Sequence, residues 1–363
     1  MSSLEALVAL NLLPGIGPIR ANRLIEAFGS ADQVLASSAE QLQQVSGIGG
    51  ETAASIQAWR KHIDPVAEIR CAEALGYSLL TREDPLYPMA LREAYDAPLL
   101  LYVWGRLELR DAHALGIVGS RRCSFYGLNT TRRFAAQIAA SGMTIVSGLA
   151  RGIDTAAHEA ALEGGGRTIA VLGSGLAKLY PPENLALAQR IADGRGAVVS
   201  EFPLHTPPDK HTFPTRNRIV AAWSCALLVV ECPVRSGAMI TANLANEYGR
   251  PVLAVPGPID RPGSSGCHQL IRDGATLVWE PLQILEELGF QGALPQAPSA
   301  DPTPLLPPDE AAIWAALDSP ESSVDQLVER CHLPPSTVSS SLLKLEMRGL
   351  VKVVAGSRFA RRL

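Results

Sequence analysis

From residue 112 to 289, short apolar runs rich in β-branched residues alternate with stretches of helical periodicity. The runs at 115–118, 144–146, 168–172, 197–200, 226–230, 252–255 and 276–278 predict strands, and helical patterns fill most of the gaps. Because each run is apolar at successive positions, these strands are expected to be buried on both faces. That implies an α/β domain with a parallel sheet between two helical layers. Two further β-favouring pieces, 77–81 and 99–104, flank a segment holding Pro85, Pro88 and Pro98, and are expected to extend the edge of the same sheet. Ligands of such sheets sit beyond the carboxyl ends of the strands. Polar and glycine residues fall just there: Gly119-Ser120-Arg121, Ser147-Gly148, Gly173-Ser174-Gly175, Glu201 and Ser236-Gly237.

The two ends have a different rhythm. Residues 1–70 read as a helical domain with a near repeat, in which 13–30 and 45–59 share apolar–x–Gly–Ile–Gly followed by an amphipathic helix. The repeat resembles two helix-hairpin-helix (SAM-like) units, whose glycine turns bring amides at a helix start to a DNA phosphate. A plain helical bundle using glycine as tight turns is the alternative. Arg20 and Arg23 favour phosphate contact, whereas the second copy has Glu51 where a cation would help. The core domain is expected to span 71–289. Residues 290–308 are Pro- and Ala-rich without periodicity, a linker. In 309–363, three short helices (309–317, 323–331, 336–348) and a closing hairpin give the winged-helix pattern. Lys344, Arg348, Lys352, Arg358, Arg361 and Arg362 make its end and wing basic. Both DNA contact and protein contact fit that module.

The length of 363 residues fits two or three domains, and 47% hydrophobic with 19% charged residues supports full cores. A net charge of −4 means that any nucleic-acid binding must come from a local patch. No apolar run is long enough to span a membrane, and no basic leader precedes a cleavage site. The six cysteines stand singly, and His205 and His211 lack a second ligand pair, so no metal site is expected. A reduced, cytoplasmic protein is the reading.

The central stretch is TIVSGLARGIDTAAHEA at 144–160: a strand, a glycine-bearing loop containing Arg151, then a helix opened near Asp154. That arrangement aims backbone amides and a positive helix end at an anion; it also describes an ordinary βα turn. GIVGSR is not GxGxxG, and GSGLAK lacks the Gly-Lys-Ser/Thr of a P-loop. Asp154 and His158 lie four apart and fit either an acid/base pair or a structural pair. KHTFPTRNR at 210–218 sets three cations and an asparagine around Phe213, ahead of a helix expected near Asn217. Cations neutralising successive phosphates beside a stacking aromatic suit sequence-tolerant single-stranded nucleic acid.

Seven fragments, IVGSRRCSFYG, VSGLARGIDTAAH, AVLGSGLAKLYPPEN, SEFP, FPTRNRIVA, SGAMITAN and AVPG, occur in the order seen in the DNA-processing protein A (DprA/Smf) family, which the chain resembles strongly over 115–288. The resemblance implies a Rossmann-like core that binds single-stranded DNA, forms a homodimer and helps load the RecA recombinase during natural transformation. It implies no enzyme activity and no cofactor. By motif it places Gly119, Ser120, Arg121, Ser147, Gly148, Lys210, Phe213, Arg216, Asn217 and Arg218 around a DNA pocket, with Ser236-Gly237 opening a helix towards it. Arg151 joins them from its place in the loop. The dimer face is expected around His268, Ile271 and Leu277. The competing reading is a Rossmann-like nucleotide-binding or nucleotide-hydrolysing enzyme related to the phosphoribohydrolases. Those carry PGGxGTxxE, and the glutamate is absent from Arg235–Asn243 here.

Overall fold

The computed structural model describes residues 1–290, 306–317, 322–348, 350–354 and 358–361. The chain divides into two compact units, Met1–Pro295 and Gln296–Leu363.

The first unit is built on nine strands: β1 (Ser78–Thr81), β2 (Leu100–Gly105), β3 (Ala114–Val118), β4 (Thr144–Ser147), β5 (Thr168–Val171), β6 (Gly196–Ser200), β7 (Ala226–Val229), β8 (Val252–Ala254) and β9 (Thr276–Leu277). Their order is β1-β2-β6-β5-β4-β3-β7-β8-β9. Strands β3 to β9 run parallel to one another, while β2 runs antiparallel to β6 and β1 antiparallel to β2. Every residue of β3, β4, β5, β6 and β7 is buried, as their unbroken apolar runs require. Alternate side chains serve opposite layers. Leu115, Ile117 and Leu228 pack with Phe134, Ile138, Ile153 and Ala157 of the helices Phe125–Ala140 and Ile153–Glu163. Val118, Leu227 and Val229 pack with Ile219–Trp223 and Ala238 of the helices Thr212–Trp223 and Gly237–Glu247. The mostly parallel α/β fold and its two edge strands follow the sequence reading.

The amino-terminal helices do not stand apart. Leu7, Leu10 and Leu24 share one core with Leu100, Tyr102 and Val198 of the sheet layer. Asn11 Nδ2 donates to Glu201 O at 3.1 Å, and the Leu204 amide donates to Glu68 Oε1 at 2.8 Å. The amino-terminal helices and the sheet thus belong to one compact unit. Within this bundle Gly15 and Gly47 make the turns at φ +78° and +88°, and Gly17 and Gly49 precede the helices Pro18–Phe28 and Gly50–Gln57 with no side-chain cap. The amides at both helix starts are left without a side-chain partner. Arg20 and Arg23 bind back onto the two hairpins, at Gly15 O (2.7 Å) and Ser46 O (3.4 Å).

The second unit has helices Pro308–Ala316, Val324–Cys331 and Pro335–Met347, with a small sheet of Ser322–Ser323, Arg358–Arg361 and Val351–Val354 in that spatial order. Ile313, Leu327, Val338, Leu342 and Leu345 form its core. This is the winged helix anticipated from the pattern. Two of its cations act inside the fold: Arg348 pairs with buried Glu310 at 2.9 Å, and Arg361 binds Trp314 O while lying over the Trp314 ring. Arg362 lies outside the described residues.

Among the described residues, no helix is long and apolar enough to cross a membrane, and no three His, Cys, Asp or Glu side chains cluster as metal ligands would.

At the amino ends of the strands, Arg167 is 5% exposed and holds Asp111 through two bonds of 2.9 Å, with Glu108 a third at 2.9 Å. Thr144 Oγ1 donates to the same Asp111 carboxylate, and Trp223 Nε1 to its carbonyl. Removing one partner leaves a buried charge uncompensated. Arg167→Ala is thus expected to lower unfolding stability by about 3–5 kcal/mol, read from urea denaturation. The lock lies at the end of the sheet opposite the glycine loops, so a variant that still folds should keep the geometry of those loops.

Candidate nucleic-acid interface

The carboxyl edge of the sheet is shaped by glycines that let backbone segments touch. A Cβ on Gly119 would lie 2.5 Å from Ile153 Cγ1 and 2.9 Å from Glu231 O. Gly152, at φ +79°, lies so close to Ser120 O that a Cβ would stand 2.4 Å away. The loop after β3 is thereby clamped against the helix Ile153–Glu163. Glu231, just beyond β7, fixes it from the other side: its carbonyl accepts from the Ser120 amide (2.7 Å), and its carboxylate accepts from the Ser124 amide and hydroxyl. Ser124 in turn caps the helix Phe125–Ala140. This leaves Ser120 and Arg121 facing outward.

Opposite them stands the helix Thr212–Trp223. It begins at Thr212 rather than near Asn217, so the basic segment is mostly helical. Phe213, Arg216 and Asn217, three and four residues apart, share the face towards the strand ends. The Phe213 ring is covered by the Arg121 guanidinium 5.1 Å from its centroid and flanked by Tyr180 at 5.8 Å. Gly173 makes room for it, since a Cβ there would meet Phe213 Cδ1 at 2.8 Å. Together with Lys210, Ser236, Gly237 and Asp154, these groups line an open cleft of about 1030 Å³. Ser236 caps the helix Gly237–Glu247 through the Met239 amide (3.3 Å), which sets that helix start at the cleft wall.

Arg216 is 3% exposed beneath this surface. It donates to Val171 O and, through Nε, to Asn217 Oδ1 at 3.2 Å. A Cβ on Gly148 would run into Nη1, so the missing side chain at Gly148 is what admits the guanidinium. Burial pulls its pKa down to about 10 against the opposing pull of Asp154, and at neutral pH it remains a cation. Burial raises the Asp154 carboxyl, while Arg216 and the amides of Ala150 and Gly148 oppose that shift. His158 is fully buried and its ring is locked. Nε2 accepts from the Leu149 amide at 3.3 Å, and Nδ1–H donates to Thr168 Oγ1 at 2.6 Å, whose own proton goes to Ile145 O. Burial pulls its pKa down to about 3. With both nitrogens engaged, this imidazole holds the loop and is not placed to move a substrate proton.

Three expected site residues lie elsewhere. Arg218 is one helix step round from Asn217 and points away from the cleft. It is buried against Glu201, donates to Asp96 O at 2.6 Å and supports the network that includes Tyr248. Ser147 is fully buried and ties β4 to Ile117 O at 2.6 Å. Arg151 is exposed, but it is paired with Glu183 and reaches Tyr180 Oη at 3.4 Å, which places it by the Tyr180 ring in an adjoining recess that Phe213 also lines. The expected dimer residues are on another face: His268 binds Gly257 O at 2.9 Å, Ile271 is half-buried, and Leu277 is 37% exposed on β9, the free edge of the sheet. Tyr180 was not singled out by sequence reasoning. Its signals were an aromatic in the loop following a third glycine turn and its place in the fragment AVLGSGLAKLYPPEN.

A doubly covered parallel sheet with a cationic, aromatic cleft at its carboxyl edge defines a Rossmann-like α/β protein, here flanked in sequence by helical-hairpin and winged-helix modules. Family models agree along the chain: "DNA recombination-mediator protein A" matches residues 78–289, "DprA winged helix domain" 296–357, and "SAM-like Helix-hairpin-helix tandem" 7–58. Protein Smf of Synechocystis is 35% identical across 98% of this chain and 98% of its own length, and Protein Smf of Escherichia coli 43% across 78% and 77%. The X-ray structure of DNA processing protein A from Streptococcus pneumoniae superposes with a TM-score of 0.69 at 35% identity, covering 79% of this chain and 98% of that one. The DNA processing protein A structure from Helicobacter pylori, described by its single-stranded DNA binding mode, gives 0.53 at 32%, covering 58% and 95%. The chain belongs to the DprA/Smf family.

His158 generates a pH prediction. An unfolded histidine titrates near 6.5, whereas the folded one stays neutral to about pH 3. Below about 6.5 the unfolded chain binds a proton that the folded chain does not, so stability falls as pH drops, by at most about 1.4 kcal/mol per pH unit for one proton. Denaturation midpoints at pH 7 and 5 should show this loss, and His158→Gln should flatten the slope.

Proposed function

We propose that this chain is a non-catalytic, single-stranded DNA-binding protein that protects incoming DNA and helps load the RecA recombinase in transformation and recombination. It acts as a homodimer through the face carrying His268, Ile271 and Leu277. The observation that carries the reading is the Arg121–Phe213–Tyr180 stack above buried Arg216. The stack offers an aromatic platform to bases of any identity, and the arginines beside and beneath it favour a polyanion. Gly119, Ser120, Lys210, Asn217, Ser236 and Gly237 complete the DNA surface, with Gly148 seating Arg216. Ser147 contributes only by holding β4, and Arg218 supports the fold. A nucleotide-hydrolysing enzyme is the weaker reading, because both nitrogens of His158 are occupied and the glutamate of the phosphoribohydrolase loop is absent.

Stacking and charge separate experimentally. Phe213→Ala should weaken single-strand binding by roughly 1–3 kcal/mol with little change in salt dependence. Arg121→Ala should reduce the slope of log affinity against log salt by about 0.7. Both are read by fluorescence anisotropy across a salt series, with thermal melting confirming the fold. Unchanged affinity in a folded Phe213→Ala protein would return the small-nucleotide reading to the front.

The dimer face has its own readout. Leu277→Glu should shift the protein to monomer in sedimentation equilibrium, while a short oligonucleotide still binds the cleft. A variant that keeps the wild-type oligomeric state would move the dimer interface elsewhere.

A further inference from the structure

Arg121 has a second concave surface on its far side. There a groove of about 440 Å³ runs along the helices Phe125–Ala140 and Ile153–Glu163. Four arginines line it, Arg121, Arg122, Arg132 and Arg151, against one carboxylate, Glu159. That carboxylate offsets them weakly: Arg132 Nη2 is 3.9 Å from Glu159 Oε2, and both side chains are substantially exposed. Arg122 is exposed and makes no ion pair among the described residues, and only Arg151 has a close partner, Glu183. Gly152, Ala156 and Cys123 keep the lining shallow and uncharged between the arginines, and no aromatic joins them. The groove is continuous with the cleft. Arg121 lines the cleft, the intervening recess and the groove, Arg122 lines the cleft and the groove, Arg151 lines the recess and the groove, and Arg132 lines the groove alone.

We propose that this groove carries the continuation of the single strand beyond the stacked bases, as a backbone-only track, an inference that rests on the DNA reading of the cleft. A chain of cations without an aromatic suits phosphates and not bases, so contact there is sequence-independent. Arg122 and Arg132 take successive phosphates. Arg151 exchanges Glu183 for a phosphate once the strand passes Tyr180. A compact anion would need convergent donors, whereas these four are strung along an open furrow. Affinity therefore grows with oligonucleotide length after the cleft is filled.

The test compares a labelled oligothymidylate hexamer with a twenty-mer by anisotropy over a salt series. The proteins are wild type, Arg132→Ala, Phe213→Ala, and a control that removes the same charge from the amino-terminal bundle, Arg70→Ala. For the groove variant, hexamer affinity should stay within about twofold of wild type. Twenty-mer affinity should fall about fivefold at low salt, with a slope smaller by about 0.7, one contact on a single strand. The control should leave both unchanged. Wild-type behaviour of the groove variant on the twenty-mer overturns the track, as does an equal loss on the hexamer or an equal loss in the control. If Phe213→Ala leaves binding of both oligonucleotides intact, the cleft reading itself has failed, which is a different outcome from failure of the groove.

Discussion

The buried guanidinium of Arg216 is the constraint around which the carboxyl edge of the sheet is arranged. A cation enclosed this far needs partners, and it draws them from three elements: Val171 O at the end of β5, Asn217 on its own helix, and the field of Asp154 across the cleft floor. Its volume excludes any side chain at residue 148. Asp154 in turn takes the amides of Gly148 and Ala150, and His158 takes that of Leu149, so the loop after β4 is determined by the same charge. The loop's apparent acid and base are fittings of the fold.

A second clamp depends on glutamate in place of a ligand. In a Rossmann-like sheet the first strand–loop–helix turn is where a phosphate would meet free amides. Here the Glu231 carboxylate already sits at Ser124, at the start of the helix Phe125–Ala140. The anion-binding capacity that remains is carried by side chains, Arg121 above all, on a rigid loop. On the proposed reading, that difference separates a surface for an extended polyanion from a seat for one nucleotide.

The chain's net charge of −4 hides this arrangement because its cations are segregated by role. Arg167, Arg218 and Arg348 neutralise buried or half-buried carboxylates in three parts of the fold. Arg121, Arg122 and Lys210 have no such partner among the described residues and face the cleft or its extension. Counting arginines in a motif therefore overstates its surface charge. The segment 210–218 contains three cations, of which one is exposed at the cleft, one lies beneath it and one is turned into the core.

The sequence by itself determined the sheet, its buried strands and the placement of glycines at their carboxyl ends, because unbroken apolar runs and glycine turns are local signals set by backbone geometry. It also determined the winged helix and the glycine hairpins of the amino-terminal bundle, and the fragments that mark the family. Tertiary structure decided the rest. The phase of the helix Thr212–Trp223, started five residues earlier than its sequence pattern indicates, put Asn217 in the cleft and Arg218 against Glu201. The meeting of Arg121, Tyr180 and Phe213 joins three segments far apart in the chain, and the merging of the amino-terminal helices with the sheet core depends on Leu100, Tyr102 and Val198 being presented together. Neither has a local signature, since helix rotation and long-range contact are set by which apolar faces can be buried at once.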